Sequence, residues 1–142
     1  MSTVERFEDL DVWRRARKLA NLVYDMTEGE QFRRDFVLRD QIRRAAVSVM
    51  SNIAEGFESK TQRMFVEYLG RAKASAGELR AQLYLARDRN YLQEDQFEEA
   101  TIEAQTCSRQ IVSLSRYLES KPNTRRVRDE GVYYDVSELL EG

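Results

Sequence analysis

Apolar residues recur at helical spacing in four long runs of this chain. In the second run, Leu38, Ile42, Ala45, Val49 and Ile53 step by four, three, four and four residues and make one apolar helix face. The same segment carries a polar stripe, Arg44, Ser48, Asn52 and Glu55, on another face. It predicts a helix over about 35–55 that stops at Gly56. The first run, Val12, Ala16, Leu19, Val23 and Met26, predicts a helix over about 10–27, with Asp9 or Asp11 as its cap. In the third, Phe65, Leu69, Ala72, Ala76, Leu79, Leu83 and Ala86 hold a heptad over about 61–90, and Thr61 is placed to cap it. In the fourth, Phe97, Ala100, Ala104, Cys107, Ile111, Leu114 and Leu118 alternate three and four over about 94–120, and Pro122 should end it.

A repeat of about 3.5 residues imposes a left-handed supercoil, and short connections make neighbouring helices antiparallel. The sequence therefore predicts an all-α fold, a left-handed up-down-up-down four-helix bundle over residues 1–120. Its many alanines call for closely approaching helices. The segment 121–142 changes character. Arg125, Arg126 and Arg128 come first, then an acidic stretch with Tyr133, Tyr134, Val136, Leu139 and Leu140. Two readings stay open for this tail: a frayed terminus, or a segment that docks on the bundle, a neighbouring subunit or a partner.

A chain of 142 residues is one domain of ordinary size, able to bury a core without a staple. No stretch approaches the ~20 apolar residues of a membrane span, and the first residues lack an apolar signal core, so a cytoplasmic protein is expected. The single Cys107 sits in a heptad core position and suits a reducing compartment. Histidine is absent altogether. That removes the usual general base near neutral pH, the Ser-His and Cys-His nucleophile pairs, and the Glu-x-x-His metal motifs of ferritin-like bundles. Glu55-x-x-Glu58 resembles half of the Glu-x-x-Glu site of all-α nucleotide pyrophosphatases. The predicted break at Gly56 would split the pair, and no Glu-x-x-Asp follows at helical spacing in the third helix. No Gly-rich phosphate loop is present. The expectation is a non-enzymatic protein with no cofactor and no metal.

The net charge of −2 conceals a split. Residues 33–90 carry twelve Lys or Arg against seven Asp or Glu, whereas residues 91–120 carry two Arg against six acids. Basic faces can track a phosphate backbone. Candidate nucleic-acid contacts are Arg14, Arg15, Arg17 and Lys18 on the first helix, Arg43 and Arg44 on the second, and Arg63, Arg71, Lys73 and Arg80 on the third. The bland alternative is a solvated face with intrahelical pairs such as Glu67–Arg71. The split has another use. A basic side of one subunit facing an acidic side of the next is a heterologous contact, which closes into a ring when the rotation allows.

The segments Phe7-Glu-Asp-Leu-Asp-Val-Trp13, Gln41-Ile-Arg-Arg-Ala-Ala46 and Ser51-Asn-Ile-Ala-Glu-Gly56, with Phe65, Tyr68-Leu69, Ser75, Glu78-Leu79 and Asn90-Tyr-Leu92, carry a resemblance. Together they resemble the four-helix bundle proteins encoded in intervening sequences of bacterial 23S ribosomal RNA genes, also called S23 ribosomal proteins. The likeness covers about residues 7–120. It implies a ring-shaped homo-oligomer, a pentamer. The family is similar in turn to the accessory variability proteins of diversity-generating retroelements, which implies RNA and a reverse transcriptase as partners of a basic surface.

The polar stripe on the second helix has a counterpart on the third: Glu67, Arg71, Ser75, Glu78 and Gln82. Ser48, Asn52, Glu55, Ser75 and Glu78 are read as a hydrogen-bonded seam between helices or subunits, with Arg and Glu able to pair across it. Trp13, Phe65 and Phe97 belong to the predicted core. Tyr84 and Tyr91, seven apart and off the heptad, are expected at a subunit interface. The leading functional expectation is an oligomeric accessory protein presenting its basic surface to RNA or a reverse transcriptase–RNA complex. The alternative is a structural homo-oligomer without nucleic acid.

Overall fold

A computed structural model describes residues 3–121 and 134–135. Four helices carry the fold: α1 (Asp11–Met26), α2 (Phe36–Glu58), α3 (Gln62–Asp88) and α4 (Glu94–Ser120). A two-residue strand pair, β1 (Thr3–Val4) with β2 (Tyr134–Asp135), is the whole of the described β-structure. The fold is all-α, as the periodicity predicts. α2 packs on α1 and α3, and α4 packs on α3 and α1, so α1 and α3 lie diagonally opposite, as do α2 and α4. Contact pairs between neighbours run in opposite senses. Ser48 meets Ser75 while Gly56 meets Phe65, and Asp11 meets Gln110 while Arg15 meets Glu103.

The heptad positions form one continuous core. Leu19, Val23, Ile42, Val49, Ile53, Phe65, Leu69, Leu79 and Leu83 are fully shielded from solvent, and Trp13 and Phe97 nearly so. Each such aliphatic or aromatic side chain contributes roughly 1.5–3 kcal/mol on burial. Alanines at 72, 76, 86, 100 and 104 are also fully buried, so α3 and α4 present small side chains where helices meet.

The ends of the helices show how local chemistry sets boundaries. The Asp35 side chain accepts from the Leu38 N–H, and the Thr61 hydroxyl accepts from the Met64 N–H, each satisfying a donor with no intrahelical partner. Gln93 and Gln96 cap α4 reciprocally. α3 ends on Asn90, whose φ of 60° is left-handed. The Tyr91 N–H bonds back to the Ala86 carbonyl and the Asn90 N–H to that of Arg87, which together make a Schellman closure.

Two boundary expectations change. α2 does not stop at Gly56 but continues to Glu58, where Ser59 turns extended and sends both its N–H and its hydroxyl to the Gly56 carbonyl. Glu55 and Glu58 thus sit on one unbroken helix. α1 is not capped by Asp9 or Asp11. Asp9 lies in a 3-10 turn, Leu10 occupies the cap position and is buried, and Asp11 is the first helical residue. The tail reading largely falls outside the described residues, including Pro122, Arg125, Arg126 and Arg128. Of that segment, Tyr134–Asp135 pairs antiparallel with Thr3–Val4.

Gly56 is explained by proximity rather than by helix ending. A Cβ there would stand 2.8 Å from the Phe65 ring and 2.8 Å from the Tyr68 Cβ. Gly70, by contrast, has nothing within 4 Å of the equivalent position. Replacing Gly56 by Ala should therefore destabilise the fold by about 1–3 kcal/mol, because α3 must move. Gly70→Ala should stabilise it by up to about 1 kcal/mol through helix propensity. Denaturant unfolding of the two variants should show shifts of opposite sign, and equal shifts would refute the close-approach account.

Candidate nucleic-acid interface

The ten candidate basic residues do not share one surface. On α1, Arg15 and Lys18 lean toward α4 and both bond Glu103, at 2.9 and 3.3 Å. The Glu103 side chain is only 14% exposed, so it is a partly desolvated acid held by two cations. Arg14 and Arg17 are exposed on the same helix. Arg14 lies 3.5 Å from Asp11, and Arg17 lies over the Trp13 ring.

On α2, Arg43 is engaged within the chain. Its Nε donates to the Thr27 hydroxyl at 2.7 Å, one terminal nitrogen donates to Glu28 at 2.9 Å, and the guanidinium stacks 4.5 Å from the Tyr24 ring centre. Thr27 is itself buried, and its hydroxyl donates to the Val23 carbonyl. Arg43 therefore locks the C-terminal end of α1 onto α2. Arg44, one residue on, is exposed and has no ion pair among the described residues.

On α3, Arg63 pairs with Glu67 at 3.6 Å, which displaces the expected Glu67–Arg71 pair. Arg71 instead lies over the Tyr68 ring at 4.9 Å. Lys73 is exposed beside α4, bordering a groove with Ile111, Ser115 and Glu119. Arg80 is half-buried, and its Nε has no partner. The cations thus divide between the α1/α4, α1/α2, α2/α3 and α3/α4 sides. Arg17, Arg44, Arg71 and Lys73 are exposed and make no ion pair among the described residues.

The polar stripes do meet. Ser48 and Ser75 share a hydroxyl–hydroxyl bond of 2.8 Å across α2 and α3, and the Asn52 amide donates to the Ser48 carbonyl and hydroxyl. Glu55 and Glu78 stand exposed at the outer edge of that seam, with Glu78 accepting from Gln82. The seam closes through neutral groups, not through Arg–Glu pairs. Tyr91 is committed inside the chain, its hydroxyl donating to Asp35 at 2.9 Å and its ring packing on Phe32. Tyr84 remains half exposed against Phe97.

Other chemistry is sparse. Cys107 is buried, and desolvation pushes its thiol from 9.0 up to about 12, opposed by Arg15 and reinforced by Glu103. Among the described residues no cluster of Cys, Asp and Glu could hold a metal ion, and no helix is long and apolar enough to cross a membrane. Two features escaped sequence reasoning. The Glu103 triad joins residues more than 80 positions apart, beyond any local periodicity. The Gln62 amide donates to the Leu118 carbonyl and so closes the end of α4 from α3.

This is an all-α protein of four packed helices with an arginine-rich exterior. It matches the family described as "23S rRNA-intervening sequence protein" over residues 8–113, and the chain belongs to that family. The crystal structure of a protein of unknown function from the S23 ribosomal protein family of Bacteroides thetaiotaomicron is similar in fold. Its TM-score is 0.69 at 23% identity, over 74% of this chain and 98% of that one. No curated protein matches the chain.

The seam and the thiol each yield a measurement. A double-mutant cycle of Ser48→Ala and Ser75→Ala should return a coupling of about 1 kcal/mol in unfolding free energy, and additive effects would remove the bond from the stabilising set. Because the folded-state thiol is the weaker acid, it holds its proton where the unfolded chain has lost it. Its contribution to stability is complete below pH 9.0 and is lost as pH rises toward about 12. Native protein at pH 8 should resist Ellman's reagent, and urea-unfolded protein should release one equivalent of chromophore. Rapid native labelling would mean that α1 or α4 opens freely.

Proposed function

We propose that this chain is a non-enzymatic accessory protein that assembles with copies of itself and presents a basic surface to RNA, or to a complex of RNA with a reverse transcriptase. The observation that carries the reading is the set of exposed cations that make no ion pair among the described residues: Arg17 on α1, Arg44 on α2, and Arg71 and Lys73 on α3. Partly buried arginines such as Arg15 and Arg43 have acceptors within the chain, which sets them apart from the exposed cations proposed to meet a partner. The family description points the same way, since its members are named for sequence lodged in ribosomal RNA genes. Contacts of this kind are made to phosphate, which gives affinity with little sequence selectivity. Assembly into a ring of five, and a role beside a diversity-generating retroelement, are the finer parts of the proposal. They rest on the resemblance in sequence. A purely structural homo-oligomer is the competing reading, favoured by the number of basic residues already bonded within the chain.

The two readings separate in one experiment. Fluorescence anisotropy with single-stranded and hairpin RNA should show affinity falling linearly in log–log form with salt, by ~0.7 per phosphate contacted on single strands. The quadruple variant Arg17→Glu, Arg44→Glu, Arg71→Glu, Lys73→Glu should lose binding with its helical circular dichroism intact. RNA affinity equal to that of the parent chain would discard these four cations as the RNA contacts. No binding by the parent at low salt would leave the structural reading.

A further inference from the structure

Two unlike exposed patches lie on opposite sides of the bundle. The first runs along the α1/α2 side. Tyr24, Phe36 and Val47 are 42%, 63% and 37% exposed, large apolar side chains on a surface otherwise rich in charge. Tyr24 and Val47 line one shallow depression and Phe36 an adjoining one, and Arg43 borders both, so the two together make a shallow groove. Arginines rim it. Arg39 stacks over Phe36 at 4.8 Å, Arg43 over Tyr24 at 4.5 Å, and Arg33 and Arg34 share the single acid Glu30. Arg44 makes no ion pair among the described residues.

The second patch is on α4. Asp95, Glu98 and Ile102 step by three and four, so they form one line along the helix. That line faces away from the core positions Phe97, Ala100, Ala104 and Cys107. Ile102 is 59% exposed, and it is the one large apolar side chain exposed on α4. Neither Asp95 nor Glu98 has an ion pair among the described residues.

The patches are complementary in charge and in exposed apolar surface. One is a shallow strip of Tyr24, Phe36 and Val47 set among arginines with surplus positive charge, and the other is an exposed isoleucine with two unneutralised acids beside it. The ridge from Asp95 to Ile102 is about 10 Å long and the groove from Phe36 to Val47 about 17 Å, so the ridge fits within it. α2 and α4 each run opposite to α3, so their N-terminal halves occupy the same end of the bundle on diagonal corners. Within one chain the patches cannot touch. Asp40 and Glu28 also line the groove, but each is paired with an arginine there, Asp40 with Arg39 and Glu28 with Arg43, so the surplus positive charge of Arg33, Arg34 and Arg44 remains for the two acids of the ridge. Arginine and aromatic side chains without lysine are also the composition of protein interface cores.

We propose that the Ile102 ridge of one copy of this chain inserts into the Tyr24–Phe36–Val47 groove of the next, a heterologous head-to-tail contact. The proposal rests on the self-association put forward above and names its two surfaces. Such a contact closes into a ring or extends into a filament according to the rotation between copies.

The test uses two exposed positions, Ile102→Glu to spoil the ridge and Val47→Glu to spoil the groove, on the full chain. Circular dichroism should confirm that both variants fold. Analytical ultracentrifugation should find the parent assembled and each variant weakened on the order of tenfold or more in Kd. The decisive sample is their equimolar mixture. One copy still owns a good groove and the other a good ridge, so the mixture should form a two-chain complex and nothing larger. A parent that is monomeric at tens of micromolar overturns the proposal while leaving RNA binding untouched. Variants that assemble like the parent overturn it also, as does a mixture that stays monomeric. If Val47→Glu assembles normally yet loses RNA affinity, the groove belongs to nucleic acid and the assignment is wrong. Loss of RNA binding by the parent has no bearing on this contact.

Discussion

The close approach of α2 and α3 is the constraint on which the rest of the architecture depends. Gly56 admits the Phe65 ring and the Tyr68 Cβ at distances where any other residue would collide. One helical stretch away, Ser48 and Ser75 touch through their hydroxyls. Alanines 72 and 76 keep the intervening surface thin. Dispersion attraction falls steeply with separation, so helices brought this near gain many contacts from small side chains. The neutral hydroxyl pair suits that setting, because an ion pair at the same depth would carry a desolvation penalty that its Coulomb energy need not repay. α1 and α4 then close the bundle from the other side, at the Arg15–Lys18–Glu103 cluster.

The basic residues acquire two roles from this geometry. Those near a helix seam find a carbonyl, hydroxyl or carboxylate and become part of the framework, as Arg43 does with Thr27 and Glu28. Those pointing outward keep their charge available. A count of positive residues conflates the two, and the distinction matters for any reading of the surface as a binding face. It also explains why a chain of slightly negative net charge can carry locally basic ground.

Helix number, helix ends and core were largely legible in the sequence because heptad spacing is a local signal. The fourth helix, the Thr61 cap and the burial of Cys107 and Phe65 follow from it directly. Gly56 was misread because glycine has two uses in a helix. Ending it and admitting a neighbour look alike until the neighbour is placed. Asp9 and Asp11 were misread because a buried leucine took the cap position between them. For the candidate site, the stripe Ser48–Asn52 and its partner Ser75 could be found from spacing alone. Which arginines were already bonded could not, since Arg15 and Glu103 are brought together by tertiary structure. The exposed groove at Tyr24 and Phe36 was invisible for a similar reason, as aromatics at helical spacing read equally well as core.

The seam between α1 and α4 has a kinetic consequence. The α2–α3 and α3–α4 contacts join neighbours along the chain, whereas Arg15–Glu103 and Asp11–Gln110 bring together residues 88 and 99 positions apart. Loop-closure entropy rises with that separation, so the placing of α1 against α4 is the most entropically demanding step in building the bundle. The chain's one tryptophan, Trp13, sits on α1 with its ring against Phe7. Its ring meets Phe7 and Arg17, both near it in sequence, so its fluorescence reports the packing of the segment before α1 onto that helix.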